Sequence, residues 1–183
     1  MPQVAKVFVV LAPDDVRFAA EDWSAFEAKL VPLYCGGPSR HESVYNGLVA
    51  SRDEWDAADR MLVHDAARPC LPGRDLEALL AETDEVGAIL ATPVSDTVKR
   101  AVGDRILATE ERSQLWLAQT PQMFRAGLLL QALHRARGGV TDEASAVEQM
   151  GLKPKLVAGS RENIKVTWPE DLAIAEGILR RRA

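Results

Sequence analysis

The chain predicts an α/β fold with a mostly parallel central sheet, and three observations carry that expectation. Short apolar runs alternate with segments of helical period, the pattern of successive βαβ units. Leu62-Val63-His64-Asp65-Ala66-Ala67-Arg68-Pro69 stops an apolar run in an acid, two alanines, an arginine and a proline, as a buried parallel strand does at the carboxyl edge of its sheet. The composition is that of an ordinary globular chain: 183 residues, 47% hydrophobic and 27% charged, enough for a single domain over residues 1–183 with one sizeable core.

The elements follow in chain order. Val4 to Ala12 reads as a strand closed by Pro13-Asp14-Asp15. Ala19, Trp23, Phe26 and Leu30 recur at helical spacing, and Val31 to Tyr34 reads as a second short strand. Gly36-Gly37-Pro38-Ser39 breaks it, and a helix over about Ser43 to Ser51 follows. After the central strand Leu62 to Asp65 come a helix around Leu76, Leu79 and Leu80 and a strand over Val86 to Thr92. Ser95 to Leu115 is charged and has no strong period, which suits an arm leaving the sheet better than a core element. Leu128, Leu129, Ala132 and Leu133 mark a helix, Thr141 opens another, and Leu156-Val157 is a last short strand. Thr167-Trp168-Pro169-Glu170 has the form of a capping box with proline in the first turn, backed by the apolar stripe Leu172, Ala175, Ile178 and Leu179.

Composition also narrows the function. A formal net charge of -5 argues against bulk binding to nucleic acid, which relies on neutralising many phosphates. No apolar run is long enough to span a bilayer and no basic leader precedes a cleavage site, so a cytoplasmic protein that engages no membrane is expected. Cys35 and Cys70 lack CxxC spacing and read as free thiols, while His41, His64 and His134 show no zinc-ligand spacing.

Polar residues at element ends are the candidate site. Ligands of open α/β folds bind outside the carboxyl ends of the strands, which places Asp65 at the mouth of a site. Ala66 and Ala67 leave room for a ligand to approach the backbone, and Arg68 offers a planar fork of donors to a phosphate or carboxylate. The same octapeptide also suits a loop whose Asp and Arg pair with each other. Gly36-Gly37 permits close backbone approach, with Arg40 for an anion and Ser43 at a helix start, although a Gly-Gly-Pro turn before a serine cap needs no ligand. Gln119 and Gln122 flank Thr120-Pro121 with amides that can read a ligand's hydrogen bonds. Thr141-Asp142-Glu143 is explained by an N-cap with first-turn acids that suit the helix dipole. Lys165 lies in a short extended stretch before the last helix, a solvated charge unless a phosphate waits opposite.

Taken in order, six of these segments resemble one family. His64-Asp65-Ala66-Ala67-Arg68-Pro69, Gly36-Gly37 with Arg40 and Ser43-Val44, Asp96-Thr97-Val98-Lys99, Gln119-Thr120-Pro121-Gln122, Thr141-Asp142-Glu143-Ala144-Ser145 and Asn163-Ile164-Lys165-Val166-Thr167 are similar to the motifs of the 2-C-methyl-D-erythritol 4-phosphate cytidylyltransferases of the non-mevalonate isoprenoid pathway. The resemblance runs from Val4 to the final helix. It implies a Rossmann-like nucleotidyltransferase fold with helices on both faces of the sheet and an extended dimerisation arm over about 95–115. It implies transfer of a cytidylyl group from CTP to methylerythritol phosphate with release of pyrophosphate, assisted by Mg²⁺ or another divalent cation. In that pattern Gly37, Arg40 and Ser43 match the part that holds the base and ribose side of CTP. Asp65, Ala66 and Arg68 match the segment that meets methylerythritol phosphate, with Asp65 beside the metal. Thr120, Thr141 and Lys165 line the same pocket, Lys165 matching the residue that positions the attacking phosphate. Thr97 and Arg112 match arm residues that reach the neighbouring subunit's pocket, so the resemblance implies a homodimer with composite sites in which Arg112 and Lys165 are catalytic.

Members of the family open with an apolar strand into a glycine-rich loop of the type AAGxGxRM and a PKQ segment. This sequence begins Met1-Pro2-Gln3-Val4, in line with their second strand, and contains no such loop. The expectation that follows is that these residues alone lack the loop that answers a triphosphate's charge, lack a strand of the sheet, and are neither stable nor active by themselves. Two alternatives remain beside the main reading: a cytidylyltransferase for another polyol phosphate such as ribitol 5-phosphate, and a truncated, non-catalytic nucleotide or polyol-phosphate-binding module.

Overall fold

Two parallel strands, β1 (Val7–Val10) and β2 (Leu30–Leu33), begin the structure, pairing Val7 with Leu30 through Val10 with Leu33. The computed structural model describes residues 3–182. Its chain forms two compact units, one of residues 1–61 and 125–152, the other of residues 62–124 and 153–183.

In the first unit, helix α1 (Arg40–Ala50) starts at Ser39, whose Oγ accepts from the N–H of Glu42. Ser43, expected at the helix start, lies in the first turn instead, because Ser39 takes the cap. The helix lies close on β1: a Cβ at Gly47 would stand 2.5 Å from Val10 Cγ2. Helices α3 (Ala126–Arg135) and α4 (Glu143–Glu148) complete this unit, α3 packing against α1 and α4. The helix expected through Ala19, Trp23 and Phe26 is replaced by two short 3₁₀ turns, Phe18–Ala20 and Ser24–Phe26, while Leu30 opens β2. Local bonds win there: Asp15 and Asp22 accept from the N–H groups of Phe18 and Ser24, and Trp23 stacks on Phe18 at 4.6 Å while donating to its carbonyl.

The second unit is built on a four-stranded sheet, ordered β3 (Arg60–Val63), β7 (Trp116–Arg125), β4 (Ala88–Pro93), β8 (Lys155–Ala158). β4 pairs parallel with β8 and antiparallel with β7. Its core holds Leu79, Ala88, Leu90 and Met123, with Leu62 and Val157 against them. Helix α2 (Gly73–Leu80) packs on β4 and β8, and helix α5 (Pro169–Arg180) buries Ala175 and Ile178 against Cys70. Both cysteines are free thiols. The last helix is capped one residue later than expected: Trp168 is the cap, Pro169 opens the helix, and Asp171 rather than Glu170 accepts from the N–H groups of Thr167 and Trp168. Residues 95–115 fold as an antiparallel hairpin of β5 (Val98–Val102) and β6 (Arg105–Glu110). No helix among the described residues is long and apolar enough to cross a membrane.

The longest strand, β7, is the element that periodicity hides, since Pro121 lies inside it. Ile89 pairs with Gln122 and Ala91 with Ala118, so β7 takes four residue steps where β4 takes two. Gln119-Thr120-Pro121 therefore forms a bulge, where a proline without an N–H costs no ladder bond. The Thr120–Pro121 peptide is cis.

Gly87, just before β4, has φ +123°, and an added Cβ would stand 2.5 Å from Met123 O and from Phe124 Cδ1. Gly87→Ala therefore combines backbone strain with a clash against β7, and is expected to lower unfolding stability by at least about 2 kcal/mol. Urea denaturation checks this; a midpoint unchanged from the parent contradicts the packing described.

Candidate active site

The candidate residues fall into three groups, one in the first unit and two in the second. In the first unit Gly37 and Ser43 are bonded to each other: the Gly37 N–H donates to Ser43 Oγ at 3.0 Å, and that hydroxyl lies 2.9 Å from Ser39 O. A Cβ on Gly37 would stand 2.6 Å from Glu42 Cβ, so only glycine fits. Arg40 donates through both terminal nitrogens to the two carboxylate oxygens of Glu143, at 2.6 and 2.9 Å. Glu143 is fully buried. Its acid serves this bidentate pair rather than the helix dipole alone, and Asp142, not Thr141, caps α4 in a capping box with Ser145. Thr141 is exposed just ahead of that cap, its N–H donating to Ser145 Oγ.

In the second unit Asp65, Arg68, Thr120 and Lys165 come together. Asp65 follows β3 by two residues and carries an ion pair, its Oδ2 lying 3.0 Å from Lys165 Nζ; the Asp65 side chain is 13% exposed and that of Lys165 is 47%. Residues 65–68 form a tight turn closed by the Arg68 N–H on Asp65 O, with Ala66 exposed within it. Ala67 O accepts from the N–H of Val166, which fastens the turn to the stretch carrying Lys165. Arg68 Nη1 donates to Asn163 O at 2.7 Å and Nη2 to Ala118 O at 3.4 Å, so its fork clasps two carbonyls. Beyond the loop itself, Asp65 reaches across to Lys165 in an ion pair.

Thr120, in the β7 bulge, is buried, and its Oγ1 accepts from the Asp65 N–H at 2.9 Å. The same oxygen lies 3.0 Å from His64 Nδ1, and His64 Nε2 lies 3.1 Å from Arg68 O. Desolvation of the His64 ring lowers its pKa below the ordinary 6.5, against the opposing pull of the Arg68 carbonyl and the Asp65 charge. The buried Gln119 amide donates to Ser160 O at 2.9 Å. Buried Asn163 donates to Thr120 O at 2.8 Å.

Thr97 and Arg112 lie apart from that cluster in the same unit, at the two sides of the hairpin base. Thr97 is exposed immediately before β5, and Arg112, beyond β6, donates to the carbonyl of Ser95. His64, Asn163 and Glu143 were not among the expected site residues. For His64 the signal is adjacency to Asp65; for Glu143 the first-turn position suggests only a dipole acid; Asn163 opens one of the family-like segments, but no local period marks it. Among the described residues, no group of three or more His, Cys, Asp and Glu side chains stands together to hold a metal ion.

Comparisons with known proteins give the chain's relatives. The family model described as IspD: 2-C-methyl-D-erythritol 4-phosphate cytidylyltransferase matches residues 1–181. The 2-C-methyl-D-erythritol 4-phosphate cytidylyltransferase of Dechloromonas aromatica is 56% identical over 99% of this chain and 80% of its own length. That of Thiobacillus denitrificans is 51% identical over 97% of this chain and 79% of its own. A crystal structure of 4-diphosphocytidyl-2C-methyl-D-erythritol synthase superposes with a TM-score of 0.85 at 44% identity, covering 95% of this chain and 82% of that one. The Thermus thermophilus 2-C-methyl-D-erythritol 4-phosphate cytidylyltransferase does so with a TM-score of 0.80 at 32% identity, over 96% of this chain and 82% of its own.

The lowered His64 pKa has a consequence for stability. Between the folded value and 6.5 the unfolded chain binds a proton that the folded chain does not. The contribution is therefore complete above the unfolded pKa and is lost as pH falls below it toward the folded value. Urea midpoints measured at about pH 7.5 and about pH 5.5 should fall on acidification, and fall less in His64→Asn. An equal loss in both proteins contradicts the assignment.

Proposed function

The chain belongs to the 2-C-methyl-D-erythritol 4-phosphate cytidylyltransferase family, and on that footing we propose that it transfers the cytidylyl group of CTP to 2-C-methyl-D-erythritol 4-phosphate. A phosphate oxygen of the polyol phosphate attacks the α-phosphorus of CTP. A new P–O bond forms, the bridge between α- and β-phosphorus breaks, and pyrophosphate leaves with the electron pair of that bridge. The product is 4-diphosphocytidyl-2-C-methyl-D-erythritol. Such a step needs little covalent chemistry from side chains; it needs two polyanions aligned and their repulsion relieved.

The observation that carries the residue assignments is the half-exposed Lys165 ammonium held 3.0 Å from Asp65 beside the 65–68 turn. A salt bridge fixes the lysine's position while its remaining donors stay available to an incoming phosphate. Asp65 and Ala66 border the polyol phosphate in this reading. Arg68 adds positive charge while clasping the turn. Thr141 borders the polyol side, Thr120 serves that side through the Asp65 N–H, and Gly37, Arg40 and Ser43 serve the base and ribose of CTP. Mg²⁺, when bound, neutralises developing charge on the phosphates and orients them. Asp65 would supply a hard carboxylate oxygen, and with no group of three or more His, Cys, Asp and Glu side chains among the described residues this fits an ion carried mainly by the triphosphate rather than caged by protein. CTP as co-substrate supports a cytoplasmic location.

Thr97 and Arg112 act across a homodimer in this reading. The hairpin that bears them exposes Val102, Ile106 and Leu107 to 69%, 67% and 65%. Such an apolar surface suits burial against a second copy.

Pyrophosphate release with CTP and a panel of polyol phosphates tests the activity: methylerythritol phosphate should be preferred, and equal or better turnover of ribitol 5-phosphate would reassign the substrate. In a chain that carries the family's glycine-rich loop, Lys165→Ala is expected to lower turnover by at least about 10- to 100-fold, since a charge-assisted contact strengthened in the transition state is lost. Wild-type rates in that variant would remove Lys165 from the mechanism. Mixing Arg112→Ala with Lys165→Ala subunits should restore activity, because one site of the heterodimer then holds both intact residues. Heterodimers without recovery would place Arg112 in its own subunit's site.

A further inference from the structure

The hydrogen bonds around Thr120 form a closed ring whose directions are fixed by valence. Arg68 O can only accept, so His64 Nε2, 3.1 Å away, carries the ring proton. Nδ1 of the neutral ring then has a lone pair only, and the Thr120 hydroxyl donates to it across 3.0 Å. Thr120 Oγ1 in turn accepts from the Asp65 N–H, and the Arg68 N–H returns to Asp65 O at 2.9 Å. The Thr120 proton is thus spent inside the protein. The side chain is buried, and its own carbonyl holds Asn163 Nδ2.

We propose that Thr120 and His64 are positioning residues of the reaction: the Thr120 hydroxyl and the His64 imidazole lock the backbone of Asp65, and so fix where the Asp65–Lys165 pair meets the polyol phosphate. Thr120 acts on the substrate through Asp65 rather than by touching it. The inference rests on the function proposed above for the Asp65–Lys165 pair, but its structural half stands apart from activity. Removing the hydroxyl leaves the Asp65 N–H without its acceptor and frees the turn, whereas serine keeps the ring closed.

Two measurements test it. Long-range ¹H–¹⁵N spectra of the imidazoles, with His64 assigned by its loss in His64→Asn, should show the Nε2–H tautomer at neutral pH. An Nδ1–H tautomer would overturn the ring whatever the enzyme catalyses. In steady-state kinetics Thr120→Val should lower kcat/KM for methylerythritol phosphate by about 10-fold or more while leaving KM for CTP within about 2-fold, and Thr120→Ser should recover most of the loss. On an Asp65→Asn background Thr120→Val should add less than about a further 2-fold, because what it positions is already impaired. Wild-type kinetics in Thr120→Val, or an effect that multiplies fully with Asp65→Asn, would contradict the proposal. If a chain that carries the family's glycine-rich loop shows no turnover of methylerythritol phosphate, the functional reading fails, and the tautomer still decides the ring.

Discussion

The bulge at Gln119-Thr120-Pro121 is the constraint on which the second unit's polar cluster depends. A regular β7 would aim alternate side chains at the two faces of the sheet and leave none to reach the 64–68 turn. With two extra residues opposite Leu90, three groups of the bulge become anchors instead. Thr120 Oγ1 takes the Asp65 N–H, Thr120 O takes Asn163 Nδ2, and the Gln119 amide takes Ser160 O. The 64–68 turn and the 160–166 segment are thereby hung from one irregularity, and Asp65 and Lys165 meet because both are. Irregular backbone this well buried is tolerated only when its polar groups are partnered. Asp75 contributes from the other side, accepting from the Ser160 N–H at 2.7 Å.

The first unit solves a similar problem with charge. A fully buried Glu143 would be costly alone, and the two hydrogen bonds from Arg40 compensate its desolvation. That pair joins the start of α1 to the start of α4, which brings the Gly37–Ser43 contact and Thr141 under a common restraint within this unit. Both arrangements share a logic suited to nucleotidyl transfer: catalysis by alignment needs side chains that are held before substrate arrives. Lys165 remains half-exposed with donors to spare, while the groups that fix it are buried.

How much of this was legible in the sequence follows from the range of each signal. Strands β1, β2, β4 and β8 and helices α2, α3 and α5 announced themselves through apolar period, and their ends moved by a few residues only. The α/β class followed from that alternation. Segment 18–30 departs from its helical spacing because aromatic residues at that spacing also suit a stacked cluster, and Asp15 and Asp22 tip the balance locally. β7 escaped because Pro121 argues against a strand unless the partner's register is known, and register is a long-range property. The charge and missing period of 95–115 mark an excursion from the sheet but hide its hairpin, since a strand pair exposed on both faces leaves no period-two signal. Asp65, Arg68 and Lys165 were visible as polar residues at element ends. The anchors that hold them, Asn163, Glu143 and the His64–Thr120 contact, pair residues far apart in the chain and leave no local trace. Only three-dimensional closure reveals them.

The central claim is that the Asp65–Lys165 pair, held by the β7 bulge, is where the phosphate of the acceptor is received. A crystal structure with CTP, Mg²⁺ and methylerythritol phosphate bound tests it most directly. The account predicts the acceptor phosphate within about 3 Å of Lys165 Nζ, with the Asp65 N–H still on Thr120 Oγ1. An acceptor phosphate bound away from Lys165, or a 64–68 turn detached from Thr120 in the complex, would contradict it.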